Sequence, residues 1–438
     1  MTSKNKEAEA NHASPGGSAA RELDGPPRER TIECEARASF DRPQAWGDLR
    51  IHDVAIAGAG PVGATLALAL ADARLDVVVA DARAAGETRV ADRTLALSHG
   101  ARLIFERLHV WTPLASMSGA VTPITAIDVS QAGGFGAVQL SAAEQRVPAL
   151  GYVVSYRALA QVLDSALARA GVDVRYGAPV QTIEPGLDDA ALRFADGSST
   201  QRDSILRARL AVVADGTASS VPGVRRRRHD YDQVAVVATI ALARPHRGVA
   251  FERFTRAGPI ALLPRGGDYA LIWTRSPADI PALLGLRDEA FLAALSAHFG
   301  GRFRGFAGVS ERRAFPLALE VAETITAART AVIGNAAQAL HPIAGQGFNL
   351  GLRDAFELAQ AILDSPRDAI GSKAMLARYR AGRERDRRAG IAFTHGLVRL
   401  FGNDAPWLRV PRGVGMMLLD AMPFAKRAFA RTMLYGMH

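Results

Sequence analysis

The sequence predicts an α/β protein: a strand, turn and helix unit suited to a parallel sheet, interrupted by an inserted sheet and followed by a helical tail. Three observations predict it. An uncharged stretch at residues 54–71 divides into an apolar run, a glycine-rich turn and an apolar helical pattern, and a second apolar run at 77–80 ends in Asp81. Between residues 233 and 274, short runs rich in β-branched and aromatic residues are separated by Gly, Pro and basic turns, as in antiparallel strands. From residue 330 the strand-then-helix texture returns, so the first domain is discontinuous and the sheet is inserted in it.

Residues 1–47 are rich in Ala, Glu, Arg, Pro and Gly without an apolar period and read as a disordered extension. They hold no apolar core of a secretory signal, which points to the cytoplasm. The chain has 438 residues, of which 48% are hydrophobic, enough for two packed regions. Cys34 is the single cysteine, so an intrachain disulfide and a cysteine-held zinc are both excluded.

Gly58, Gly60 and Gly63 form a GxGxxG directly after the first apolar run, and Asp81 follows Gly63 by 18 residues. This is the Rossmann-like arrangement. Glycines permit the tight turn and a close approach of backbone to pyrophosphate, the helix start attracts phosphate, and a carboxylate binds ribose hydroxyls. The same stretch reaches the length of a membrane span, but Pro61 and three glycines interrupt it and Asp53 and Asp72 bracket it. Downstream, residues 210–216 read as a strand closing in an Asp215-Gly216 turn, and the arginines at 225–228 read as a solvated turn.

The segment 334–354 mixes Gly, Pro, amides and one His over a length that packing explains poorly. An apolar strand at 330–333 runs into Gly334, and the helix after Gly347 has first amides free to face an anionic or electron-rich ligand. This segment resembles the second FAD motif of aromatic-ring flavoprotein hydroxylases. The form Gly-Asn-Ala-Ala-Gln-x-Leu-His-Pro resembles the ubiquinone-biosynthesis branch, the UbiH-type polyprenyl-phenol hydroxylases, with Asn335 in place of the usual Asp. Residues 251–264, Tyr231 and Gln233 are similar to the same group, so the resemblance runs from about residue 53 to the C-terminus.

The resemblance implies an FAD held by Gly58, Gly60, Gly63, Asp81, Arg93, Arg157, Asp215, Gly334, Asn335, Gln346 and Gly347, with the amides of Phe348 and Asn349 at the flavin pyrimidine edge. Two of these keep a second reading: Arg93 as a surface residue before a helix, and Asp215 as part of an ordinary turn. Pro342 and Gly347 border the reacting ring in this reading. His341 either polarises the phenol and relays a proton or simply hydrogen-bonds its loop. No second GxGxxG is present, so NAD(P)H binds transiently. The implied reaction is reduction of FAD by NAD(P)H, capture of O2 as a flavin 4a-hydroperoxide, and oxygen transfer to a polyprenylated phenol, first of all 2-polyprenyl-6-methoxyphenol. Another ring position, another apolar aromatic, or a non-catalytic flavin-binding subunit of a membrane-associated complex are the alternatives. No metal site is expected, since no His/carboxylate cluster has metal spacing.

From residue 378 onwards the chain carries 12 basic and 4 acidic residues, which is nearly the whole surplus behind the net charge of +9. Met416, Met417, Met422, Met433 and Met437 fall there among Leu and Phe residues. No nucleic-acid module accompanies this tail, so nucleic acid is not expected as a partner. Two readings remain: peripheral docking on an anionic inner membrane beside other ubiquinone-biosynthesis proteins, or a helical tail packed on the body with its basic face solvated. The expected domains are an extension at 1–47, FAD-binding segments at 48–228 and 326–395, an inserted sheet at 229–325 and a tail at 396–438.

Overall fold

The strand Ile51–Ala57 lies at the middle of a parallel sheet, paired with Val77–Asp81 on one side and Ile205–Val213 on the other. Thr330–Val332 continues the sheet beyond Ile205–Val213, and Asp173–Tyr176 beyond Val77–Asp81, all parallel. Every strand that ends in a candidate binding motif is thus a neighbour of the next. The computed structural model describes residues 50–87, 93–195, 205–216, 219–299, 305–402 and 405–437, and the N-terminal extension lies outside them. Parallel strands covered on both faces must be apolar throughout. Val54, Ile56, Val79, Leu210 and Val212 are accordingly fully buried.

Helix Pro61–Leu70 follows the glycine turn and packs against helices Tyr156–Arg169 and Gln346–Leu363. Pro61 stands in its first turn, where a missing N–H breaks no helical bond. The uncharged stretch is therefore a strand, a turn and a 10-residue helix. Among the described residues no helix is long and apolar enough to cross a membrane.

A second sheet of nine strands is built around Arg226–Leu242, which pairs antiparallel with Arg313–Ala322 and Asp268–Arg275. Gly258–Arg265 and Val249–Thr255 extend it. Two further strands come from far earlier in the chain. Ala126–Gln131 pairs parallel with Val249–Thr255, and Ala137–Ser141 pairs with Ala126–Gln131. The opposite edge is Gln338–Ala339, part of the motif loop. Two expectations need correction here. The boundary drawn at 228/229 falls inside a strand, and the sheet recruits residues from both flanking segments, because strand composition says nothing about which sheet a strand joins. Of the arginines expected in a turn, Arg226, Arg227 and Arg228 begin that same strand and Arg225 directly precedes it: Arg225 and Arg227 bond Glu323 at 3.0 and 2.7 Å, and Arg228 bonds Glu320 at 2.5 Å. Cross-strand charge pairs, rather than turn chemistry, account for them.

A small antiparallel sheet of Thr94–Ser98, Gly151–Ser155 and Val121–Ile124 joins the two halves. Helix Lys373–Phe401 runs without a break across residue 396, followed by Pro406–Ala421 and Pro423–Tyr435. Met416, Ala430 and Leu434 of the last two helices are buried against Val138, Leu140 and Leu150. Lys426 is held by Asp420 at 3.0 Å and Glu144 at 3.2 Å. One face of the tail is therefore packed on the second sheet.

Candidate active site

At the end of the first strand, backbone geometry separates the roles of the three glycines. Gly58 has φ +103°, and a Cβ there would lie 2.8 Å from the Asp215 backbone nitrogen. A Cβ on Gly63 would lie 2.0 Å from the Gly58 carbonyl oxygen, so the helix can pack on its strand only with glycine at this position. Gly60 differs. A Cβ on it would meet nothing within 4 Å, and it caps helix Pro61–Leu70. The open space above Gly60 is where an anionic group can sit against the helix start.

Asp81 holds this turn in place: its carboxylate accepts the Ala59 N–H at 2.6 Å and the Arg83 N–H at 3.0 Å. Asp215, after strand Ile205–Val213, accepts the N–H and hydroxyl of Ser219 on Oδ2. Its Oδ1 is buried with no partner among the described residues, and burial pushes its pKa up. Gly216 beside it has φ +86° and open space around its missing Cβ.

The motif loop begins at Gly334, whose φ of +63° lets it turn beneath Val62. Its N–H donates to Asp354 at 3.2 Å, and the Gln338 amide donates to the same carboxylate at 2.6 Å. Behind Asp354 stands Arg383, fully buried, whose Nε donates to Asp354 at 2.9 Å. Nη1 of Arg383 reaches Glu357 at 2.8 Å and Asp386 at 2.9 Å, and Arg353 bonds Asp386 at 2.8 Å. Burial opposes the charge on Arg383, yet Asp354, Glu357 and Asp386 hold its pKa above the ordinary value. Arg387 completes the group by donating to Gln338 at 2.9 Å.

Ala344 and Gly345 are both left-handed, with φ of +57° and +60°, and helix Gln346–Leu363 starts directly after them. With Gly345 as the cap, the amides of Gln346, Gly347 and Phe348 have no acceptor within the helix. They stand at the edge of a cavity of about 760 Å³. Its other walls come from strand Thr94–Ser98, from Ala126–Gln131 and Val249–Thr255 of the second sheet, and from the last three helices. The lining is mainly aliphatic and aromatic. Among the described residues its ionisable members are Arg93, Glu252, His341 and Arg412. Asn335 also faces the cavity, exposed, with no hydrogen bond to its side chain among the described residues.

Residues 52–394 match the FAD binding domain family. The ubiquinone hydroxylase UbiL of Rhodospirillum rubrum is 34% identical, over 90% of this chain and 93% of its own length. The chain belongs to the FAD-binding ubiquinone hydroxylases. The 3-demethoxyubiquinol 3-hydroxylase of Escherichia coli is 30% identical, over 86% of this chain and 96% of its own length. Among solved structures, p-nitrophenol 4-monooxygenase PnpA of Pseudomonas putida superposes with TM-score 0.70 at 18% identity, over 89% of this chain and 99% of that one, which shows the shared fold. This hydroxylase is thus an FAD-dependent monooxygenase. The open space at Gly60, the unpaired amide of Asn335 and the free amides after Gly345 all suit such a cofactor.

The hydroxylase departs from the sequence expectations at several positions. Gly347 was expected to border the reacting ring where the loop turns; the left-handed positions of that turn are Ala344 and Gly345, and a Cβ on Gly347 would make an ordinary 3.6 Å contact with Leu340. A Gly-Gln-Gly pattern does not say which residue takes the left-handed turn, and here an alanine shares it. The Asn349 side chain binds protein, accepting the Ser98 N–H at 2.8 Å and donating to Ala96 at 3.0 Å and Gly345 at 2.7 Å, while its own backbone amide falls within the helix. Gln346 is turned toward Ala344 and Met433. Arg157 is exposed in the first turn of helix Tyr156–Arg169, outside the cavity lining. Arg93 does line the cavity, its guanidinium 4.2 Å above the Tyr156 ring. The Pro342 carbonyl accepts the Gly345 N–H at 3.0 Å. The Glu252 carboxyl and the Asp354–Arg383 group went unread, although Arg383, Asp386 and Arg387 at i, i+3 and i+4 share one helix face.

His341 is 1% exposed and its Nδ1 accepts the Ile343 N–H at 3.1 Å. Burial lowers its pKa to about 4, so at neutral pH it is a neutral imidazole with its proton on Nε2. An imidazolium is therefore not at hand for proton relay near pH 7. The folded-state pKa lies below the unfolded value, so the stabilising contribution is complete above about pH 6.5 and is lost as pH falls toward 4. His341→Gln should flatten this acid limb in a series of melting temperatures between pH 7 and 4.5, without abolishing it, because His298 and His395 shift in the same direction. An unchanged limb would show that His341 does not carry it. Separately, Gly60→Val should leave the melting temperature of the apoprotein unchanged but weaken FAD binding, since overpacking costs about 1–3 kcal/mol, or roughly 5-fold to 150-fold in Kd. Equal flavin affinity in mutant and parent would remove Gly60 from the cofactor site.

Proposed function

We propose that this hydroxylase oxygenates the ring of a polyprenylated phenol in ubiquinone biosynthesis, with 2-polyprenyl-6-methoxyphenol as the first substrate to test. The observation that carries the reading is the position of the apolar cavity: it begins at the free amides of Gln346, Gly347 and Phe348 and is large enough for an aromatic ring bearing an isoprenoid chain. The open space at Gly60 and Gly216 would receive the pyrophosphate, with Gly58 and Gly63 keeping the turn and helix close enough to form it. Asp81 keeps lone pairs for ribose hydroxyls, because a carboxylate oxygen accepts more than one hydrogen bond. The Asn335 amide serves the ribityl chain, and Gly334 lets the loop approach it.

When bound, FAD activates O2 at the expense of NAD(P)H and delivers one oxygen atom to the ring, the other leaving as water. The amides after Gly345 would hold the part of the flavin on which reduction places negative charge, a charge that the helix dipole favours. Arg93, held on Tyr156, lines the same cavity and would add a positive charge beside the flavin. His341 acts as a neutral hydrogen-bond donor, and the apolar walls exclude water from the ring. The decisive assay measures NAD(P)H oxidation and hydroxylated product separately with a short-chain prenylated phenol. Stimulated oxidation with coupled product, whose ring position identifies the reaction, is expected; cofactor binding without turnover would favour a non-catalytic flavin subunit.

The tail supports docking at a membrane surface. Trp407 is 72% and Phe424 86% exposed, with Val410, Leu418 and Met422 also exposed, and Arg427 and Arg431 lie on the helix of Phe424 with exposed side chains. Each such cation contributes about 1 kcal/mol near an anionic leaflet. Trp407→Ser with Phe424→Ser should reduce sedimentation with vesicles containing anionic lipid, and salt should do the same by screening the arginines. Absent binding by the parent chain would leave the tail as a packed element alone.

A further inference from the structure

Glu252 lies in strand Val249–Thr255, and with Ala250 and Phe254 it faces the cavity. Its partners across the sheet, Val129 and Ala261, are apolar. The side chain keeps some accessible surface although protein encloses it, so that surface is cavity wall. Among the described residues nothing bonds its carboxyl, and it is the single carboxylate of the lining.

A lone acid in such a setting is costly unless something arrives to pair with it. The neighbouring charges do not. Arg253 follows it in the chain but donates to the His298 carbonyl at 2.7 Å and to Ser130 Oγ at 3.1 Å. Arg412 is committed to the carbonyls of Leu408 at 3.1 Å and Leu400 at 3.0 Å. Arg93 stacks on Tyr156, and Nδ1 of His341 is occupied by Ile343. Burial alone raises the Glu252 pKa to about 8, so near neutrality the carboxyl is mostly the uncharged acid, able to donate one hydrogen bond and accept others.

We propose that Glu252 binds the hydroxyl of the phenolic ring and so fixes the orientation of the ring within the cavity. A prenylated phenol is apolar except at its ring oxygens, and the cavity is apolar except at a few points, so a single well-placed acid can determine which way round the ring enters. This inference rests on the reading of the chain as a hydroxylase of such phenols. Glu252 is then a specificity-determining residue as well as a binding one. A site built around a buried polar group rejects a ligand that leaves the group unpaired.

The test uses the full-length, FAD-loaded chain and two ligands: a short-chain prenylated phenol and the same molecule with hydrogen in place of the hydroxyl. Equilibrium dissociation constants are read from perturbation of the flavin absorption, alongside FAD content, melting temperature and the ring position of the product. The parent should prefer the phenol by about 10-fold to 100-fold. E252Q, which still donates and accepts, should keep most of that preference. E252L should bind the two ligands alike and yield mixed ring positions, with FAD content and melting temperature unchanged. E252M supplies the same comparison if E252L does not fold. A leucine or methionine variant that retains the parental preference overturns the inference alone, provided the parent hydroxylates the phenol. A parent that binds neither ligand overturns the functional reading and the inference together.

Discussion

The buried contact between Asp354 and Arg383 is the constraint on which the candidate site depends. Asp354 receives the Gly334 N–H and the Gln338 amide, so it fixes both the entrance of the motif loop and the short strand that joins the second sheet. Arg383 passes the constraint to Asp386, which also accepts the backbone N–H of Met437 at 2.9 Å near the end of the chain. Loop, two long helices and tail therefore meet at one group of charges. Removing one partner of such a buried pair costs about 3–5 kcal/mol, because the other charge stays behind unpaired. An apolar replacement of the whole group could be equally stable, but it would not direct N–H donors and acceptors to particular backbone atoms. Here that directional role is the physical reason for burying arginine.

Charge is segregated across the loop. Behind it lie Arg353, Asp354, Arg383 and Asp386, buried and bonded to one another, with buried Arg387 donating to Gln338. In front lies the apolar cavity with Glu252 as its lone carboxylate. The loop between them consists of residues that turn sharply without adding charge, which leaves the free amides after Gly345 as the main polar feature on the cavity side. Fixed dipoles in a water-excluded cavity act more strongly than the same dipoles in water, since little solvent competes with them.

What was legible in the sequence followed from local rules. Gly58 and Gly63 are required by backbone approach, the strands before them by burial on both faces, and the helix after them by its apolar pattern; each signal lies within a few residues of its cause. Ala126–Gln131 was not read as part of the second sheet, because its partner, Val249–Thr255, is more than a hundred residues away and no local rule names it. The arginines from 225 to 228 read as a turn because glutamates that face them at 320 and 323 are distant in sequence. Glu252 reads as an ordinary polar residue of a half-exposed strand until the last helices close over that face. The same limit applies at Gly347: glycine marks where a left-handed turn is easy, and only the assembled loop shows that Ala344 and Gly345 take it.

The tail is packed on one face and exposed on the other. The inner face of helix Pro406–Ala421 supplies Leu408, Pro411, Met416 and Leu419 to the cavity wall, while Trp407, Val410, Met417 and Leu418 on the same helix are exposed. Packing and exposure are thus opposite faces of one element rather than alternatives. An aliphatic chain has its lowest free energy out of water, and a single helix separates the exposed apolar side chains from the apolar interior. Pro411 within that helix removes one backbone hydrogen bond and weakens it locally. Under the proposed function, a wall that is apolar on both sides and weakened at Pro411 would let an isoprenoid chain pass without crossing water.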